Sequence, residues 1–210
     1  MSQIKSKKKK AADYHHGDLR RTLLKEALKL LKSKSPKDLS LRDLARRIGV
    51  SHGAPYRHFS SQEALLAALA IEGFGIFADY LNLKHTVEEY KDDLERFRLM
   101  ASGFLNFALK HPVHFKLMFT KIVVDHSEYP DMQIAGERAF GILLDTVSSL
   151  QESGAFRAQD PQATSIFIWS SLHGFCTLIL DQALDFLEVE SEQYELLIDS
   201  FFENMMSGLR

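Results

Sequence analysis

The chain contains 210 residues, 45% of them hydrophobic, which is enough to build a core as one large domain or as a small domain and a larger one. Its single cysteine, Cys176, excludes an intramolecular disulfide and is typical of a protein in a reducing cytosol. No apolar segment follows the lysine-rich residues 5–10, and the longest apolar run, Ala64 to Ile71, is too short to span a bilayer. We therefore expect a cytoplasmic protein without a signal peptide or a membrane span.

The net charge of −2 hides an uneven distribution. Residues 1–60 contain 16 Lys and Arg against 5 Asp and Glu, whereas the rest of the chain contains 10 against 23. This asymmetry indicates that the basic N-terminal part faces nucleic acid and that the acidic remainder of the chain is repelled by phosphate. Residues 1–13, with their lysine cluster, are expected to be disordered in isolation. They form either a solvated tail or a basic arm that lies along a DNA backbone.

Apolar residues recur at helical spacing along the chain, and no strand pattern, internal repeat or long linker interrupts them. The sequence therefore predicts an all-α protein of about nine helices. Two glycines, Gly73 and Gly75, lie inside one of them, where each costs about 1 kcal/mol relative to alanine unless it permits close packing or a bend. The predicted helices are Leu19–Leu31, Leu41–Ile48, His52–His58, Gln62–Leu83, Glu88–Lys110, Val113–Val124, Asp131–Gln151, Pro161–Leu184 and Ser191–Met206.

The rest of the chain is organised around the stretch from Leu39 to Leu66. Ser40 and Asp43 have the spacing of a capping box, which predicts the start of a short helix with a buried apolar face. Gly49 then ends that helix, because glycine adopts a positive φ at little cost.

A second and a third helix are predicted directly after this turn. Ser51 is expected to cap the second helix, with Tyr56 and Phe59 pointing back into the core. Ser60 and Glu63 repeat the capping-box spacing at the start of the third. Together these elements make a helix-turn-helix, whose second helix is shaped to enter the major groove of DNA.

The order of residues in this stretch, LSLRDLARRIGVSxGxxYRHFxxQEALL, resembles the DNA-binding domain of the tetracycline-repressor (TetR) family. The strong likeness covers residues 18–70, roughly a quarter of the chain. It implies a DNA-binding transcriptional regulator, with repression as the default. Gln62 stands where many members carry a lysine that resembles a phosphate contact, so this contact is expected to be weaker or neutral. Pro55 stiffens the first turn of the second helix.

The docking of the helix-turn-helix predicts the DNA contacts. The first residues of the second helix are placed to meet base edges, and the residues after Pro55 reach phosphate or a nearby base. The resemblance implies that Ser40 contacts the DNA backbone, and Arg46 or Arg47 adds positive charge. The predicted DNA-binding residues are Ser40, Arg46, Ser51, His52, Gly53, Ala54, Tyr56, Arg57, His58 and Gln62.

Two patterns point to other chemistry and are rejected. Residues Gly49 to Gly53 satisfy G-x-S-x-G, the nucleophile elbow of α/β-hydrolases, which needs a strand before the serine. Leu41–Ile48 instead has the pattern of a charged amphipathic helix. His111 and His114 lack the adjacent Cys, Asp or Glu that a structural zinc site requires. We therefore expect a protein that is not an enzyme and holds no metal or cofactor.

Near the C-terminus, Trp169, His173 and Gly174 have the spacing W-x-x-x-H-G. It resembles a tryptophan–histidine–glycine (WHG) motif of one TetR subgroup. The DNA-binding domain of that subgroup also begins with the sequence tyrosine–histidine–histidine–glycine, which is found here at residues 14–17. Gly174 would let another helix approach closely. His173 is either a packed histidine with a satisfied hydrogen bond or a polar group in an apolar ligand cavity.

Three regions are expected on this basis: a disordered basic tail (1–13), a helix-turn-helix DNA-binding domain (14–62) and a helical effector-binding and dimerisation domain (63–210). The effector is expected to be a small hydrophobic or aromatic compound, because the cavity would be mostly apolar with one polar group. A movement caused by ligand binding in the cavity would reach the DNA-binding domain through the helix Gln62–Leu83. The predicted cavity residues are Phe104, Phe107, Met118, Phe119, Leu143, Trp169 and His173.

A homodimer is expected because one helix-turn-helix reads too few base pairs, and a two-fold pair can read two half-sites. Pro161–Leu184 and Ser191–Met206 are apolar over more of their circumference than one core requires, and the resemblance assigns the interface to them. The sequence thus predicts a ligand-responsive repressor that binds a palindromic double-stranded DNA operator as a dimer. The alternative is a non-enzymatic helical interaction protein whose basic N-terminal end binds an acidic partner.

Overall fold

The structure, a computed structural model, describes residues 16–84, 90–119, 128–184 and 191–209. These residues contain no strand, and the predicted all-α class is confirmed. The basic tail, residues 1–13, lies outside the described residues. The helices are α1 (His16–Leu31), α2 (Leu41–Ile48), α3 (Gln62–Leu81), α4 (Asp93–Lys110), α5 (Pro112–Phe119), α6 (Pro130–Glu152), α7 (Pro161–Leu180) and α8 (Ser191–Leu209), with 3₁₀ helices at Pro36–Asp38 and Pro55–Arg57.

Two predicted helix bounds are wrong for identifiable reasons. α4 begins at Asp93 and not at Glu88, because the Asp92 side chain caps it and accepts the backbone N–H of Glu95 at 2.8 Å. α7 ends at Leu180 and not at Leu184, because Gln182 adopts a left-handed φ of 54°.

The chain divides into two compact units, Met1–Leu65 and Leu66–Arg210, and the division falls inside α3. In the first unit, α1 packs against α2 and against the 3₁₀ helix Pro55–Arg57. Leu23 and Leu44, from α1 and α2, are fully buried. The ring of Phe59 is also buried and lies 5.4 Å from the guanidinium carbon of Arg20, a distance that suits a cation–π contact.

In the second unit, α4 packs against α5, α6 and α7, and α6 packs against α7. Phe77 of α3 lies at the centre of the core and is fully buried. Its ring centroid is 4.9 Å from those of Phe104 and Phe107 and 5.5 Å from that of Trp169. These separations are typical of edge-to-face and tilted aromatic pairs, which dominate the energetics of such a core.

The two glycines inside α3 have different surroundings. A Cβ built on Gly73 would lie 2.7 Å from Sδ of Met118 and 3.0 Å from Cβ of His114, so α5 approaches α3 closely at this point. A Cβ on Gly75 would meet nothing within 4 Å. Beside Gly73, the Glu72 carboxylate lies 3.2 Å from Nε2 of the buried His114, which joins α3 to α5 a second time.

Two helices, α3 and α7, are long and apolar enough by length and composition to cross a membrane. Half of the apolar stretch of α3 is buried inside the protein, which is expected of a core helix. Only 28% of the corresponding stretch of α7 is buried. α7 therefore presents an apolar face outward, and this face is described below.

Candidate nucleic-acid interface and ligand clefts

α2 presents charged side chains on its outer face. Arg46 is exposed, and its Nη2 lies 2.8 Å from Oδ1 of Asp43 one turn earlier. Arg47 is also exposed, and its Nη1 lies 3.7 Å from Oε1 of Glu26 on α1. Exposed ion pairs of this kind are weak, so both guanidinium groups can exchange their carboxylates for a phosphate.

Ser40 stands at the N-terminus of α2 but does not form the expected cap. Its side chain makes no capping hydrogen bond, while its carbonyl accepts the N–H of Leu44 at 3.0 Å. Within the described part of the chain, nothing hydrogen-bonds to the Ser40 hydroxyl. A hydroxyl beside the free N–H groups of a helix start is well suited to an anionic oxygen.

The predicted second helix, His52–His58, is wrong in its length. After Gly49, whose φ of 77° ends α2, the N–H of Ala54 donates to the carbonyl of Ser51 at 3.0 Å. Only Pro55–Arg57 is helical, as a single 3₁₀ turn with Ala54 at its N-cap position. Proline has no N–H and cannot continue a helix from the preceding residues. Ser51 therefore contributes its carbonyl to the turn, and it does not cap a helix.

The residues around this turn divide into anchors and an exposed surface. Pro55 and Phe59 are buried and anchor the turn to the core. The five exposed residues, which we call the recognition surface, are Ser51, His52, Gly53, Tyr56 and Arg57. Tyr56 is 49% exposed, so the expectation that it points into the core is wrong. Ala54 and His58, two further predicted contacts, are half-buried at the edge of this surface.

Two members of the recognition surface are not explained by the packing of the unit. A Cβ added to Gly53 would meet nothing within 4 Å, so no neighbour inside the chain requires a glycine there. Arg57 is exposed and forms no ion pair within the described residues. Both residues are therefore accessible to a binding partner of the recognition surface.

The start of α3 also differs from the sequence prediction. The backbone N–H of Ala64 donates to Oγ of Ser61 at 3.2 Å, so Ser61 caps the helix and Ser60 does not. The N–H of Glu63 and the Ser61 hydroxyl lower the pKa of the Glu63 carboxyl. Gln62, a predicted phosphate contact, donates from Nε2 to the carbonyl of Pro36 at 2.7 Å. Its amide N–H₂ group therefore links the start of α3 to the 3₁₀ helix Pro36–Asp38 before α2.

In the second unit, the structure brings several predicted cavity residues together as a packed aromatic cluster. Trp169 lies 5.6 Å from Phe104 and 5.8 Å from Phe119 between ring centroids. Phe77 was not among the predicted cavity residues, yet it contacts Phe104, Phe107 and Trp169 at the centre of the cluster. The remaining predicted residues, Met118 of α5 and Leu143 of α6, are buried. The aromatic rings among these residues thus pack against one another, and their role in binding an effector stays a prediction.

A cleft of about 300 Å³ lies beside this cluster, between α5 and α7. Of the predicted cavity residues, Phe119 and His173 line it. The imidazole ring of His173 stacks on Phe115, with centroids 4.9 Å apart, and the edge contact with Phe119 is at 4.6 Å. Burial lowers the pKa of His173, so the ring is neutral near pH 7. Sequence reasoning did not select Phe115, although it lies one helical turn before Phe119 on the same face.

A second cleft, of about 590 Å³, lies between α3 and α6. Its apolar lining includes Phe74 and Ile142, and its charged lining includes Asp79, Lys84 and Arg138. The Lys84 ammonium lies 2.6 Å from the Asp79 carboxylate. No sequence motif indicated this cleft, because its lining comes from helices that are far apart along the chain.

The apolar face of α7 consists of three side chains that are exposed in the described part of the single chain. Ile166 and Phe167 are 51% and 50% exposed, and Leu178 is 44% exposed. Between them, a Cβ on Gly174 would meet nothing within 4 Å. Within the described residues, no helix approaches Gly174 in the way that was expected. Exposed apolar side chains that lie together on a protein surface mark interaction sites, and we expect those of α7 to do so.

Two family models match the chain. The model described as "Bacterial regulatory proteins, tetR family" matches residues 23–69, and "Tetracyclin repressor-like, C-terminal domain" matches residues 97–201, which is half of the chain. The chain belongs to the TetR family. Membership places it among DNA-binding transcriptional regulators and confirms the family that the helix-turn-helix sequence indicated. The more specific WHG subgroup stays a prediction.

Individual relatives agree with this assignment. The chain is 28% identical over 130 residues to the HTH-type transcriptional regulator Rv1816 of Mycobacterium tuberculosis, which covers 60% of this chain and 54% of that protein. The chain thus spans about half the length of the curated relatives that it matches. A structure of a protein with unknown function from Rhodococcus sp. RHA1 has a TM-score of 0.76 at 28% identity and covers 94% of this chain and 98% of that one. PfmR, a TetR-family regulator from Thermus thermophilus, shares the fold with a TM-score of 0.62 at 22% identity, over 74% of this chain and 84% of that one.

Proposed function

We propose that this protein is a cytoplasmic, ligand-responsive repressor that binds a palindromic double-stranded DNA operator as a homodimer. The observation that carries the proposal is the recognition surface, which lies on a turn anchored by the buried Pro55 and Phe59. A surface of one imidazole, one phenol, one guanidinium and a bare glycine backbone can approach base edges closely and still reach phosphate. These groups are exposed in the part of the first unit that the structure describes.

The remaining predicted DNA contacts form the flanks of the recognition surface. The hydroxyl of Ser40, which makes no capping hydrogen bond, and the N-terminus of α2 supply a phosphate site, and Arg46 adds charge once it leaves Asp43. Ala54 and His58 are half-buried at the edge of the recognition surface. Gln62 contributes indirectly, because its bond to the Pro36 carbonyl fixes the start of α3.

Dimerisation is supported by the exposed apolar face of α7. Ile166, Phe167 and Leu178 would be covered by a second copy of this helix, and Gly174 would allow the two backbones to approach closely. Leu197 of α8, which is 37% exposed, extends the same apolar character to the last helix. A symmetric pair would supply two recognition surfaces for two half-sites.

The test is a comparison of Arg57→Ala with Lys29→Ala by fluorescence anisotropy on a duplex taken from upstream of the protein's own gene. Both variants lose one positive charge from the first unit, but Lys29 pairs with Glu26 at 3.1 Å on α1. If each Arg57 of a dimer contacts one phosphate, the slope of log affinity against log salt falls by about 1.8, from about 0.9 per contact. When the salt concentration rises from about 50 to 200 mM, Arg57→Ala should therefore lose roughly tenfold less affinity than the wild-type protein loses.

Lys29→Ala should leave the slope within about 0.3 of that of the wild-type protein, because its charge lies outside the recognition surface. Equal slopes for the two variants would show that Arg57 does not contact phosphate. A wild-type protein that fails to bind duplex DNA at low salt would refute the operator proposal as a whole.

A further inference from the structure

The cleft between α5 and α7 has apolar walls and a polar floor. Phe115, Phe119 and Leu180 supply the walls, and His173 and Thr177, one turn apart on α7, supply the polar atoms. The cleft volume of about 300 Å³ corresponds to roughly ten water molecules at about 30 Å³ each, and thus to a ligand of about ten non-hydrogen atoms.

The two polar groups on the floor can each accept a hydrogen bond for which the described residues supply no donor. The Thr177 hydroxyl donates its proton to the carbonyl of His173 at 2.8 Å, so its oxygen can only accept a further hydrogen bond. Nδ1 of His173 is shielded from solvent, and no described residue hydrogen-bonds to it. Buried polar atoms in native proteins normally have a partner, and an exception in a cleft calls for a ligand group that supplies one.

Charge on the ligand is not favoured at this site. The charged residues of the cleft are Lys116 and Asp181, whose Nζ and Oδ1 atoms lie 2.6 Å apart and neutralise each other. An ionised ligand would lose its hydrating water on contact with phenylalanine and leucine side chains. The cleft offers it no unpaired opposite charge in return. A neutral donor such as an aromatic hydroxyl avoids this penalty.

We propose that the cleft between α5 and α7 binds a small, neutral aromatic molecule with one hydroxyl group, which donates to Nδ1 of His173 or to the Thr177 oxygen. The imidazole then carries its own proton on Nε2. The aromatic part lies against Phe115 and Phe119, whose rings line the cleft. The claim that this cleft is the effector site of the repressor rests on the proposed function. The claim that the cleft binds such a molecule does not.

The proposal is tested by isothermal titration calorimetry of the full-length protein with matched probes. 4-Propylphenol, of about ten non-hydrogen atoms, fits the cleft volume. 4-Propylanisole lacks the donor, and 4-propylbenzoate carries a charge. The emission of the single tryptophan gives a second readout, because Trp169 lies 5.8 Å from Phe119 between ring centroids.

Two variants remove the acceptors without changing the shape of the cleft. His173→Phe keeps an aromatic ring on Phe115, and Thr177→Val keeps the branched side chain. Ser171→Ala is the matched control, because its hydroxyl also donates to a carbonyl one turn earlier on α7, that of Phe167 at 2.8 Å, but does not line the cleft. We expect one of the two acceptor variants, or both, to bind 4-propylphenol about tenfold more weakly than the Ser171→Ala control.

The outcomes separate the site from its regulatory role. Equal binding of 4-propylphenol and 4-propylanisole, or no binding of any probe, would overturn the proposal. Loss of binding in Ser171→Ala to the same extent as in the acceptor variants would do so too. Binding that follows the expected order while operator affinity stays unchanged would leave the site in place and refute the ligand-responsive part of the proposed function.

Discussion

Two glycines separated by one residue on α3 allow the packing of the second unit to be tested directly. Alanine at either position gains the same helix propensity, about 0.5–1 kcal/mol in favour of folding. At Gly75 nothing within 4 Å opposes this gain. At Gly73 the new methyl group would lie 2.7 Å from Sδ of Met118 and 3.0 Å from Cβ of His114. The thioether can rotate, but Cβ of His114 cannot move without α5.

The propensity term cancels between the two variants, so their difference measures the steric term alone, about 1–3 kcal/mol for overpacking of this kind. We expect Gly75→Ala to be more stable than the wild-type protein and Gly73→Ala to be less stable, by up to about 2 kcal/mol after the propensity gain. The assay is urea unfolding followed by circular dichroism at one fixed protein concentration, because dimerisation would add to apparent stability. If both variants shift the midpoint in the same direction and by the same amount, α5 does not approach α3 at Gly73.

Two further predictions follow from exposure and protonation. Phe167→Arg should convert the dimer to a monomer in light scattering at micromolar concentration, whereas Ile134→Arg on α6 should not, although the two side chains are 50% and 51% exposed. If both variants stay dimeric, the α7 face is not the interface. Burial lowers the pKa of His114, with partial compensation from the Glu72 carboxylate, and burial lowers that of His173. As the pH falls, the histidines of the unfolded chain are protonated first, near the ordinary histidine pKa of 6.5. The free energy of unfolding should therefore fall below pH 6.5, by at most about 1.4 kcal/mol per pH unit for each histidine. His173→Phe should flatten this dependence between about pH 7 and 5.5, and an unchanged dependence would show that His173 is not buried in its neutral form.

The helical class and most helices could be predicted from the sequence because they depend on periodicity within a single segment. The exceptions are local as well. Pro55 reduces the predicted second helix to one 3₁₀ turn, and the cap of α3 moves from Ser60 to Ser61. Both serines fit a capping pattern at nearly the same spacing, and only the backbone path selects between them.

Site residues were harder to predict wherever their partners come from distant segments. Gln62 has the position of a phosphate contact, yet its amide is bound to the carbonyl of Pro36, 26 residues earlier. Gly73 and Gly75 are indistinguishable by composition, and only the position of α5 separates them. For His173, neither expected environment is complete, because the ring is packed between phenylalanines while its Nδ1 has no hydrogen bond within the described residues.

α5 is the element through which the cleft could influence α3. Phe115 and Phe119 of this short helix line the cleft, while the residues that precede them, His114 and Met118, contact α3 at Glu72 and Gly73. Side chains at these positions lie on adjacent faces of one helix, so α5 cannot shift toward a ligand without changing its contact with α3. α3 itself runs unbroken from Gln62, in the first unit, to Leu81. We therefore expect a ligand that prefers one position of α5 to bias α3, to the extent of its differential affinity for the two positions.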